Sequence, residues 1–209
     1  MDNKKVGLGI KIKKIMKIVG ISIGCLYLLL LTLRFPFWFQ SQKSNQEVAK
    51  IHSTKLSLAD VTGSNLPPDP GSVADTTIQG IDVNHNGIQD DVELAIFQKY
   101  PNSAKTRSAL LQYALALQTQ LTLPIVNTET VTATVEDLHS RANICIWTLS
   151  SRDDMTKFSN DIDMYETFVK NLVLNTPARK EYLDEIYKYL RSYTANENGC
   201  DINPLTLPN

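Results

Sequence analysis

The chain has 209 residues, 43% of them hydrophobic and 21% charged, with a net charge of −1 and three cysteines. That length suits one folded domain with accessory segments. The charge is divided unevenly, +6 up to Phe39 and −7 beyond it, and so acidic a remainder excludes a nucleic-acid partner, which needs clustered Lys and Arg to neutralise phosphate.

Ile18 to Leu33 (IVGISIGCLYLLLLTL) carries no charge in sixteen residues, and with Ile15, Met16 and a snorkelling Lys17 the apolar run reaches nineteen. A membrane span needs about 20 such residues. FPFWF at 35–39 follows, with the aromatic side chains that suit a bilayer interface. Six lysines precede the run and only Arg34 follows closely. The positive-inside rule therefore predicts a cytoplasmic N-terminus and residues 40–209 outside, in the periplasm or the extracellular space. A cleaved signal peptide would need a small-x-small site, and none follows the apolar run. A lipoprotein signal ending at Cys25 fits Gly24, but Ser22 and the apolar LYLLLLTL after the cysteine argue against it. The reading is an uncleaved, single-pass signal anchor in the inner or plasma membrane.

Four segments follow from this: a basic cytoplasmic stretch (1–14), the anchor (15–39), a linker with a proline-rich loop (40–75), and a folded domain (76–209). Residues 40–47 are polar, 48–60 have weak helical spacing, and TGSNLPPDPGS at 62–72 reads as extended loop because proline lacks an N–H and restricts its neighbour. Helical periodicity then predicts 91–100, ending before Pro101. A second helix, capped by Asn102 or Ser103, runs to about Leu121 with a wide stripe of Leu110, Leu111, Ala114, Leu115, Leu117 and Leu121, so it is expected at the centre. Others are expected over 130–149, from a Ser151 cap to about Leu174, and from Thr176-Pro177 to Tyr193. No strand-like alternation of useful length appears. The fold class is all-α: one N-terminal transmembrane helix followed by a small antiparallel bundle.

Between Ile81 and Glu93 the chain reads IDVNHNGIQDDVE. With Asp82 as position 1, side-chain oxygens fall at 3 (Asn84), 5 (Asn86), 9 (Asp90) and 12 (Glu93). Gly87 stands at the sharp turn and Ile88 at position 7, where a main-chain carbonyl is wanted. This is D-x-[DN]-x-[DN]-G-x5-E in full. Calcium takes 6–8 oxygen ligands in this arrangement. The alternative is an Asx-rich turn that caps a helix with no ion. The stretch resembles an EF-hand loop and the loops of thrombospondin type 3 repeats. With the PPDPG segment before it, it is also similar to exported, membrane-anchored bacterial proteins. The resemblance implies Ca²⁺ held by Asp82, Asn84, Asn86, Ile88, Asp90 and Glu93. Gln89 stands where a paired hand has an aliphatic residue, and SVADTTIQG does not read as an incoming helix, so the site is a lone one. Two Asn among its ligands predict a weak affinity, roughly 10⁻⁴–10⁻³ M, suited to a structural clip outside the cell.

Cys145 and Cys200 are an even pair in an export compartment, which predicts one disulfide worth about 2–4 kcal/mol; two separate thiols are the alternative. His52 and His139 stand alone, and His85 falls at an outward-facing loop position. Asp161, Asp163 and Glu166 read as a solvated helix face, and Tyr182, Tyr187, Tyr189 and Tyr193 as core and rim packing. Zinc and nucleophile-elbow signatures are missing. The functional reading is a calcium-clipped binding or scaffolding module of the cell envelope, with the membrane and an envelope protein as partners. The alternatives are an envelope hydrolase acting on cell-wall material and an accessory subunit of a membrane complex, to which Gly20 and Gly24 in the span would contribute a G-x-x-x-G packing face.

Overall fold

A computed structural model describes residues 3–195 and 199–209, with side chains from residue 14 onward. Among the described residues every regular element is helical. The chain divides into two units, residues 1–43 and 44–209.

The first unit is built on helix α1 (Asn3–Ser53), whose last turns, residues 44–53, belong to the second unit. Leu is the commonest residue of its span and favours the helix by propensity. Pro36 lies inside it. Its large apolar side chains from Ile15 to Phe39 are all exposed. Those 25 residues extend about 37 Å at 1.5 Å per residue, enough for a hydrocarbon core of about 30 Å. By length and composition the helix can cross a membrane. Phe35 and Trp38 lie 6.0 Å apart, and the Lys43 ammonium stands 4.6 Å from the Phe39 ring centre, a cation–π contact.

The second unit is a helical bundle. After α1 come α2 (Leu58–Thr62), α3 (Asp90–Lys99), α4 (Ala104–Leu121), α5 (Thr128–Ala133), α6 (Ser140–Trp147), α7 (Met155–Val173) and α8 (Pro177–Tyr187). Helix α4 is central, as its wide apolar stripe predicts. Leu110, Leu111, Ala114, Leu115, Leu117 and Leu121 are all buried, and α2, α3, α6, α7 and α8 each pack against it. Ser103 caps it by accepting from Thr106 N. Thr176 caps α8, with Pro177 in the first turn.

Several boundaries differ from the sequence reading. Residues 44–75, read as part of a linker and loop, contribute to the core: Ile51, Leu56 and Val61 are buried. A short helix forms at α2 because Ser57 and Asp60 make a reciprocal capping box. The helix expected over 130–149 starts at Thr128 after an Asn127 cap and contains a π-helical turn, Thr134–His139, between α5 and α6. Apolar spacing does not reveal that turn, because Val131, Val135, Leu138, Ala142 and Cys145 keep spacings of 4, 3, 4 and 3 through it. The cap of α7 is Asp154, which accepts from Thr156 N and Lys157 N, rather than Ser151, whose hydroxyl bonds Asp153. Met155, in the first turn of α7, is exposed. Helix α8 stops at Tyr187, short of Tyr193.

Two arginines tie loops to this frame. Arg107 donates to the carbonyls of Val61 (3.1 Å), Tyr100 (2.9 Å) and Pro101 (2.7 Å), and so joins the ends of α2 and α3. Arg179, with no exposed surface, donates to the carbonyls of Ala74, Thr77 and Ile78 and to the side chains of Asp75 and Asn175. The tail is held by the Cys145–Cys200 disulfide. Gln112 pairs with both Gly199 O (3.1 Å) and Asp201 N (2.8 Å).

Candidate metal centre

The loop at 81–93 joins an irregular segment to the first turn of α3, and no helix leads into it. Gly87 adopts φ +85°, where a Cβ is strained, and a Cβ there would also stand 2.8 Å from Leu115 Cδ1. The Asp82 carboxylate accepts from Asn86 N (3.2 Å) and Gly87 N (3.0 Å), which folds the loop around it. Ile88 inserts its side chain fully into the core, which anchors the loop while leaving its polar positions outside the apolar packing.

The six residues expected to bind the ion therefore share one loop, but they do not act alike. Asp90 is buried and folds back on the loop, accepting from Val83 N with both oxygens at 3.0 and 3.2 Å. Burial raises its pKa above the ordinary carboxylate value. Glu93 is fully buried. Its Oε2 accepts from the amide nitrogens of Asn84 (3.0 Å) and Asn86 (3.1 Å), and its Oε1 has no hydrogen-bond partner. Burial pushes its pKa up to about 7 against the pull of those two amides. Among the described residues no three Asp, Glu, His or Cys side chains stand grouped as a metal-binding set. The side chains nearest the Glu93 carboxylate are the amides of Asn84 and Asn86.

A feature that sequence reasoning missed is Asp60 on α2. It is 4% exposed, and its Oδ1 lies 3.4 Å from the same Asn86 amide nitrogen that reaches Glu93. Asn65 O accepts from the Asn84 amide at 2.7 Å. The S-x-x-D capping box at Ser57 was the only local signal for Asp60. Among the described residues none of Asp60, Asp82, Asp90 and Glu93 forms an ion pair with Lys, Arg or His. Buried carboxylates in proteins are paired, neutralised or bound to metal. An orphaned buried carboxylate oxygen among oxygen-bearing side chains suits a hard divalent cation.

The remaining candidates are placed as follows. His85 is exposed, with φ +56°, and lines a cleft of about 340 Å³ between the loop and α4, with Glu47, Lys50 and Thr119. Gln89, at the position that pairs two EF-hands, is buried and reaches only Gln79 O, at 3.5 Å. His52 bonds Asp137 at 3.2 Å in a second cleft of about 330 Å³. There Arg141 forms ion pairs with both Asp137 and Asp201, which makes the cluster a lock on the tail. Asp161 pairs with Lys157, and Glu166 pairs with Lys170 at 2.9 Å. Tyr182 and Tyr187 are half-buried, whereas Tyr189 and Tyr193 are exposed. Among the described residues nothing beyond their own helix backbone and chain neighbours lies within 4 Å of where a Cβ at Gly20 or Gly24 would stand.

His139 is partly buried on the π-helical turn. It faces the Gln120 amide at 3.2 Å and the Tyr113 ring at 5.4 Å, with Glu166 and Lys170 nearby on α7. Burial, followed by Lys170, lowers its pKa from 6.5 to about 4. Its neutral form is the native one, so this contribution to stability is full above pH 6.5 and is lost as pH falls toward 4. Urea unfolding should show wild type losing about 2–3 kcal/mol more than His139→Gln between pH 6.5 and pH 4. Parallel pH profiles would overturn this.

Compared with protein-family models, curated proteins and solved structures, the chain matches none of them.

Proposed function

We propose that the chain is a membrane-anchored, export-side calcium-binding protein, and that its ion is a structural clip in a binding or scaffolding module of the cell envelope. The observation that carries this reading is the buried Glu93 carboxylate. It has one oxygen without a partner, two asparagine side chains before it and no cation of the protein's own to neutralise it. On this reading Asp82, Asn84, Asn86, Asp90 and Glu93 hold the ion through side chains and Ile88 holds it through its carbonyl. When bound, the ion supplies the positive charge that the buried acids lack. Asp82 orients the turn and Asp90 braces Val83, while Ile88 seats the loop in the core. The clip sets the angle at which residues 74–80, held by Arg179, meet α3.

The orientation rests on the six lysines before the apolar run and on Arg34 alone close behind it. The Cys145–Cys200 bond supports the same side, since disulfides persist in oxidising compartments. An envelope protein is the expected partner of a domain tethered in this way.

Thermal unfolding of the full chain in detergent tests the ion. At ten times its dissociation constant, calcium should stabilise by about 1.4 kcal/mol, which raises Tm by about 3–6 °C for a unit of this size. Magnesium, which demands smaller octahedral geometry, should give less, and chelator should reverse the shift. Glu93→Gln should abolish the calcium response. Equal melts with calcium and with chelator would overturn the proposal.

A further inference from the structure

The loop does not close on itself. The Asp82 oxygens face backbone N–H groups within the loop, and both Asp90 oxygens face Val83 N. The third carboxylate, Glu93, looks outward through Asn84 and Asn86 to a different element. Asn86 Nδ2 stands between Glu93 Oε2 (3.1 Å) and Asp60 Oδ1 (3.4 Å). Asn84 Nδ2 stands between Glu93 Oε2 (3.0 Å) and Asn65 O (2.7 Å). Two amide nitrogens thus hold together a ring of oxygens from Glu93, Asp60 and the Asn65 carbonyl.

An amide nitrogen carries only a partial positive charge, yet here it bridges two carboxylates, one 4% exposed and the other fully buried. Asp60 brings its second oxygen already fixed, by Ser57 N at 3.0 Å and Ser57 Oγ at 2.5 Å. Its Oδ1 is shared only with the amides of Asn65 (3.2 Å) and Asn86. An asparagine side chain exchanges N for O by a half-turn about its last torsion. For Asn86 that turn gives up the bond from Ile88 N, and for Asn84 the bond from Asn86 N. With both turned, Asn84 and Asn86 add their amide oxygens to those of Glu93, Asp60 and the Asn65 carbonyl, a set that suits a hard cation. Oε1 of the same Glu93 carboxylate, which also carries the calcium reading, is buried with no hydrogen-bond partner among the described residues.

We propose that Asp60, 22 residues before Asp82, is a direct ligand of the same cation, so that calcium latches α2 and the turn at Asn65 onto α3. This rests on the calcium reading above and extends it. The site is then shared between two elements, and it carries one more anionic ligand than the loop motif supplies. The ion fastens α2 as well as the loop.

Titration calorimetry on the full chain in detergent, with calcium chloride as the probe, tests this. Wild type should bind one ion, and Asp60→Asn, which keeps the hydrogen-bonding shape, should bind at least tenfold more weakly. Ser57→Ala, which removes the α2 cap but no ligand, should stay within about threefold of wild type. Hydrogen exchange on the wild-type chain gives a second test that needs no variant: calcium should slow exchange in the peptide covering residues 57–66 along with that covering the loop. Equal affinity for wild type and Asp60→Asn, or calcium protection confined to the loop, would overturn the latch and leave the calcium reading standing. No binding by wild type would overturn both.

Discussion

Arg179→Ala is expected to lower the unfolding free energy of the bundle by about 3–5 kcal/mol, the range seen when one partner of a buried charged network is removed. Arg179 has no exposed surface and reaches five acceptors. Three of them are the carbonyls of Ala74, Thr77 and Ile78, in a stretch with no helix of its own to satisfy them. Without the guanidinium these groups lose their donor and a large cavity opens beside α8. Each orphaned group costs about 1–3 kcal/mol. Arg179→Lys separates charge from geometry. It keeps the cation but has a single point of donation, so it should still lose about 2 kcal/mol or more. Urea unfolding of the full chain in detergent gives both numbers. A loss under 1 kcal/mol for the alanine variant would show that residues 74–78 are held by something else. On the calcium reading proposed above, the effect should also reach the loop at 81–93. Residues 74–80 run directly into Ile81, whose carbonyl accepts from Asp90 N at 2.8 Å, so freeing them should weaken the calcium response in the same melts.

What sequence could and could not reveal divides along the range of the interactions. The α4 stripe was legible because burial on one helix repeats every three or four residues. The Thr176-Pro177 start of α8 was legible because capping is a matter of adjacent residues. The spacing from Asp82 to Glu93 was legible because the turn at Gly87 imposes it. Arg179 gave no such sign. All its partners but Asn175 lie about 100 residues upstream, and an arginine on a helix otherwise reads as solvated surface. Asp60 was hidden for the same reason, since its local role in capping α2 accounts for it fully until Asn86 is placed beside it. The stretch from 44 to 61 looked like linker because its apolar residues are sparse, and only the packed bundle shows that Ile51, Leu56 and Val61 find partners. The π-helical turn leaves the apolar spacing intact, so only its backbone bonding betrays it.

Removal of the disulfide is the second large effect. For a separation of 55 residues the chain-entropy picture assigns about 4 kcal/mol, because the cross-link restricts the unfolded chain. The double variant Cys145→Ala, Cys200→Ala is the right probe. Cys145 has no exposed surface, and serine there would bury a hydroxyl and add a desolvation cost of its own. Urea unfolding should show a loss of about 4 kcal/mol, with a steeper denaturant dependence as the unfolded chain opens. The native tail should nevertheless stay docked. Gln112 holds Gly199 and Asp201, Arg141 pairs with Asp201, and Leu56 N donates to Asp201 at 2.8 Å. The penalty therefore falls on the unfolded state, and proteolysis of the tail in native buffer should barely change. A loss below about 1 kcal/mol would place the stability of the bundle in its core alone. About 4 kcal/mol is a large share of the 5–15 kcal/mol that keeps a domain folded. The same chain held in a reducing environment should therefore be markedly less stable than in an oxidising one, which would couple the fold to the export-side orientation proposed above.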